Sequence, residues 1–168
     1  MHRSDPPSSE HWPRYSARAL PVYRFLPGRT PHPRRNPQGH SFGLPEPRPL
    51  CFHPRAWETS EDYRYAIDLY NFGYWWESHE IFEGFWNVFG RKTEEGLFFQ
   101  ALIQIAAANL KHRIGHEVAA GNLVQRGINR LQNLPSCYMG IDLVGFTERL
   151  TLWAGGRTLV YVRIELTV

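Results

Sequence analysis

Eleven of the thirteen prolines of this 168-residue chain lie in its first fifty residues. Proline has no amide hydrogen to donate and pushes the residue before it away from helical angles. That segment therefore cannot form a helix and makes a poor strand, so a folded body must come from the rest. Residues 1–16 read as disordered. Residues 20–43 differ, because Val22, Tyr23, Phe25, Leu26 and Phe42 punctuate them with apolar side chains that a free linker would not need. An extended, polyproline-like arm packed on the body is expected there.

From residue 59 the pattern turns helical. Thr59 or Ser60, then Thr93 and Asp142, stand where a side chain can cap a helix start, and acids follow the first two starts (Glu61, Asp62; Glu94, Glu95), where the helix dipole favours them. Gly73, Gly90, Gly115, Pro135 and Gly155-Gly156 supply the stops. Five helices are expected, over about 59–71, 75–89, 94–114, 118–133 and 142–155. Their short connections predict antiparallel neighbours in an all-α bundle. The expected organisation is an arm over 1–50, a helical domain over 51–156 and an extended tail over 157–168. That tail, rich in β-branched residues, must lie on the bundle, pair with the arm or pair with a second copy, because a lone strand is not stable.

Charge and cysteine content narrow the function classes. Residues 1–50 hold eight arginines against three acids, and the rest holds eleven basic against thirteen acidic residues. The basic character belongs to the arm, which has no dense Lys/Arg block, so nucleic acid is not expected as a partner. Cys51 and Cys137 form no CxxC pair and read as reduced thiols of a cytoplasmic protein. No signal peptide is legible at Met1, and the apolar stretch 97–110 is too short for a membrane span.

The helix over 75–89 concentrates the chemistry. On a helical wheel His79 falls at the edge of a broad aromatic arc beside Trp75 and Trp86, with Glu83 one turn further on and Glu80 on the more polar side. The next helix carries Gln100 and Gln104, also one turn apart, on a strip bordered by Ala101, Ala107 and Ala108, with His112 near its end. Buried amides need partners, and the simplest available is the His79/Glu83 edge. The candidate cluster is therefore His79, Glu80, Glu83, Trp86, Gln100, Gln104 and His112. Its first reading is a hydrogen-bond network that registers two helices; a ligand pocket comes second and a metal site third. His79-Glu80-x-x-Glu83 has the outline of the zinc-protease HExxH with its second histidine replaced by Glu. No metal ligand set and no cofactor is assigned, and neither a nucleophilic dyad nor a phosphate loop is present. His32 and His40 of the arm are placed to complete or cover the site if the arm folds over it.

These residues carry a resemblance. Residues 74–83, with Trp86 after them, resemble the "YWEAHExLE…W" signature of domain-of-unknown-function family 309. Residues 99–108 resemble its "FLQGLIQLAAA", and His112 and Gly115 match the His and Gly that follow. The arm stretch from Pro31-His32-Pro33 to Gly39-His40-Ser41 is similar to one found in some members. Trp76, Ala101 and His116 depart from the pattern. The resemblance covers about residues 59–154 and implies a compact helical bacterial protein, with no activity attached. Together with the residues it gives a binding or scaffold module as the first functional expectation, self-association through the tail as an option, and a small metal-assisted hydrolase using His79, Glu80 and Glu83 as the alternative.

Overall fold

The computed structural model describes residues 12–158 and 161–167. A short 3-10 helix, Pro54–Thr59, leads into α1 (Glu61–Asn71), α2 (Trp75–Phe89), α3 (Glu94–Arg113) and α4 (Glu117–Leu131). A two-residue hairpin, β1 (Cys137–Tyr138) with β2 (Ile141–Asp142), then precedes α5 (Leu143–Ala154). The expected all-α bundle is what forms. Of the two candidates for the first helix Ser60 is the cap, accepting from the Tyr63 amide, while Thr59 ends the 3-10 helix; Thr93 accepts from Gly96 and Asp142 from Gly145 as expected. α4 stops two residues earlier than expected, because the amide of Asn133 turns back to the carbonyl of Arg130, three residues before it.

α3 is central, packed by α2 on one side and α4 on the other, while α1 rests on α2 and α5 on α4. The α2–α3 seam is aromatic. Phe85 and Phe99 stack with centroids 4.7 Å apart, and Phe82, Phe89, Phe98 and Tyr63 surround Phe99. The small residues of α3 do admit a close neighbour, and it is α4: a Cβ on Gly127 would stand 2.7 Å from Ile105 Cγ1 and 3.2 Å from the Ala101 carbonyl oxygen.

The arm lies on α1 and α2. Asp68 of α1, fully buried, accepts from Arg14 Nε and from the amides of Tyr15 and Ser16, each at 2.9 Å. Tyr65 and Tyr74 donate to the carbonyls of Ala19 and Pro21. Further along, the arm crosses α2 at Gly84, where a Cβ would stand 2.6 Å from Pro49 Cδ. Residues 12–16, within the stretch expected to be disordered, are therefore ordered by a buried carboxylate; residues 1–11 of that expectation lie outside the described residues.

The tail docks within the chain. Asn71 exchanges two hydrogen bonds with the backbone of Ile164, Tyr70 donates to the Val162 carbonyl, and Leu166 bridges Ile141. Of the expected options the bundle is the main support, and the arm contributes Tyr15, whose hydroxyl accepts from the Leu166 amide. Within the tail, backbone groups of Val162, Ile164 and Leu166 are engaged by Tyr70, Asn71 and Tyr15.

Candidate functional site

Two faces of α2 carry polar side chains, and they serve different partners. The first faces the arm. Its geometry begins in a compact arm loop: His32 Nδ1 accepts from the amides of Arg34 and Arg35, the Ser41 amide donates to the Pro33 carbonyl, and the His32 ring packs edge-on against Trp76 at 5.3 Å. That fold presents Arg34 and His40 to α2. Arg34 Nε donates to Glu80 Oε2 at 2.9 Å. His40 Nε2 and Glu77 Oε1 share a hydrogen bond at 2.9 Å, and the Phe25 amide donates to the same Glu77 oxygen at 3.0 Å. His40 Nδ1 is engaged by Ser41 Oγ.

Glu77 is the unusual member. Its side chain is 5% exposed, and its second oxygen, Oε2, has no hydrogen-bond partner. Burial raises its carboxyl above the ordinary glutamate range, against the opposing pull of the His40 and Phe25 hydrogen bonds. It belongs to the wall of a cavity of about 610 Å³ between the arm and helices α1 and α2. Leu20, Pro21, Leu44, Tyr65, Trp76 and Ile81 give the cavity its apolar lining. Two of its three arginines are paired, Arg34 with Glu80 and Arg18 with Asp62 while stacking over Tyr65 at 4.0 Å; the third, Arg48, is exposed and makes no ion pair among the described residues.

The second face carries His79, Glu83 and Trp86, all half-buried. The network expected between these residues and Gln100/Gln104 is not how the glutamines are used: both accept from Arg130 of α4, at 2.9 and 3.0 Å. The reason is rotational. α2 packs against Phe99, about 100° round α3 from Gln100, so the two amides turn toward α4 and remain partly exposed rather than buried. His79 Nδ1 and the Trp86 indole nitrogen are buried without hydrogen-bond partners, and Arg91 stacks over the Trp86 ring at 4.4 Å. Donor atoms of His79, Glu80 and Glu83 all lie within 4.8 Å of one another.

His112 was expected to join Gln104 from below. Its ring sits in an aromatic group with Trp153 and Tyr161, the latter packed on Trp75 at 4.5 Å. Of the candidate cluster the structure brings together His79, Glu80 and Glu83, while Gln100 and Gln104 serve Arg130 and His112 packs with Trp153 and Tyr161. The arm histidines do fold over α2: His40 meets Glu77, which points away from His79 round the helix, and His32 meets Trp76, one and two turns before His79 and Glu83 on their own face. Glu77 and Arg34 are the site residues that sequence reasoning missed. A signal existed for Glu77, a lone charge on the wheel between Ile81 and Gly84, both of which are buried.

No helix among the described residues is long and apolar enough to cross a membrane. No curated protein matches the chain. Residues 63–123, which run from α1 into α4 and include Glu77, His79, Glu80 and Glu83, match the model of the family described as a domain of unknown function (DUF309).

Proposed function

We propose that this protein is a small-molecule binding module, with its pocket where the Pro-rich arm crosses α1 and α2. The observation that carries the reading is Glu77. Its Oε1 does the work of latching the arm, by accepting from Phe25 and facing His40, whereas Oε2 takes no part in the latch. A buried acceptor left without a donor costs roughly 1–3 kcal/mol, which a ligand that supplies the donor recovers. The cavity volume is that of small-ligand sites, which combine an apolar lining with a few placed polar groups. The matching ligand has an apolar body and a hydrogen-bond-donating head, best a cationic amine. The free, exposed thiols of Cys51 and Cys137 support a reducing compartment, the cytoplasm of a bacterial cell.

Titration of the ¹⁵N-labelled full chain with benzylammonium tests the reading. Saturable shifts are expected at the Trp76 indole and at the amides of Leu20, Val22 and Leu44. Glu77→Gln, which keeps the size but cannot carry the charge, weakens binding about tenfold, equivalent to a lost charge-assisted hydrogen bond of roughly 1.5 kcal/mol. Affinity also rises with pH as Glu77 ionises. Shifts scattered over the surface, or equal affinity in Glu77→Gln, contradict the proposal.

A further inference from the structure

The polar strip on the outer face of α2 has a chemistry of its own. Glu83 stands four residues after His79 and three after Glu80, so it lies between the imidazole and the second carboxylate on one face of the helix. Their donor atoms lie within 4.8 Å of one another. Three observations set the cluster apart from an ordinary solvated acidic patch. His79 Nδ1 is buried and has no hydrogen-bond partner, an orphan that in a folded protein points to a missing water or ion. Glu80 divides its oxygens: Arg34 takes Oε2 at 2.9 Å, while Oε1 stands 3.9 Å from His79 Nδ1. An outer partner that fixes one carboxylate oxygen and leaves the other toward the cluster is the usual support of a metal ligand. Glu83, the third donor, is only half-buried and accepts no hydrogen bond among those described.

We infer that His79, Glu80 and Glu83 form a binding site for a divalent transition-metal ion, with Zn²⁺ the best match. A nitrogen donor with two carboxylates selects Zn²⁺ and its neighbours over Mg²⁺, which takes oxygen donors and retains its water. Bond lengths near 2.0–2.2 Å place adjacent zinc ligands roughly 3–3.5 Å apart, so side-chain rotations of about an ångström gather the three donors. Three protein donors leave a coordination position open to water or substrate, the condition of hydrolytic rather than purely structural zinc sites. The site shares Glu80 with the arm pocket but does not depend on that pocket's binding a ligand.

The test is calorimetric titration of the full chain with ZnCl₂ in a non-chelating buffer, paired with Co²⁺ as a spectroscopic probe. One ion per chain is expected, with Co²⁺ giving a visible absorption band. His79→Gln and Glu83→Gln, both on half-buried positions and each checked for unchanged circular dichroism, weaken Zn²⁺ at least about tenfold and abolish the band. His116→Ala, at an exposed histidine just before α4, leaves both readouts unchanged. Stoichiometric binding that survives both α2 substitutions, or no stoichiometric binding by the parent chain, overturns the site. Mg²⁺ competing at equal concentration overturns the assignment to a transition metal.

Discussion

Asp68→Ala lowers the stability of the full chain by about 3–5 kcal/mol, the range seen when one partner of a buried charge pair is removed. Asp68 is fully buried and receives three donors from the arm: the Arg14 guanidinium and the amides of Tyr15 and Ser16. Alanine leaves all three without their acceptor, and the cheapest response is for the arm to leave α1. Asp68→Asn keeps one acceptor oxygen and loses less. Chemical denaturation gives the magnitude, and limited proteolysis gives the mechanism, with new cleavage within residues 12–24. A loss below about 1 kcal/mol with no new cleavage would mean that this carboxylate does not anchor the arm.

Phe99→Ala has an effect of similar size for a different reason. The side chain is fully buried at the α2–α3 seam, with Phe82, Phe85, Phe89, Phe98 and Tyr63 rings all within 6.2 Å centroid to centroid. Truncation removes the transfer energy of a phenyl ring and leaves a cavity that five rings on three helices cannot close together, about 3–5 kcal/mol in all. Val88→Ala on the same α2, at a residue 43% exposed, is the comparison and changes stability by less than about 0.5 kcal/mol. Equal effects at the two positions in thermal or chemical unfolding would contradict the placement of the core.

The helices were legible because their ends are local chemistry. Ser60, Thr93 and Asp142 cap the amides that their own spacing selects, and no distant residue needs to be known. The arm's contact with the body was legible only as a surplus of apolar residues. Its register was not, since Asp68 receives amides more than fifty positions away and nothing in α1 encodes which. The polar cluster shows the same division. Glu83 meets His79 and Glu80 because helix periodicity places it four and three residues after them, whereas the Arg34 contact that holds Glu80 comes from the arm. Gln100 and Gln104 went to Arg130 because the rotation of α3 between α2 and α4 is set by Phe99 on one side and Gly127 on the other, a property of packing and not of spacing. Glu77 was overlooked because its partners, Phe25 and His40, come from a segment whose path the prolines leave open.

Glu77 also makes the account testable through protons. A carboxyl whose value is raised on folding binds its proton more tightly in the folded chain. Its contribution to stability is therefore complete below the ordinary glutamate range and is lost as pH rises through the raised folded value. Glu77→Gln removes that slope. The most direct measurement is a ¹³C NMR titration of the Glu77 side-chain carboxyl in the full chain, with and without saturating benzylammonium. The pocket described above predicts a midpoint above that of the exposed glutamates and a fall toward theirs when the ammonium probe binds beside Oε2. A midpoint in the ordinary range, unmoved by the probe, would contradict it.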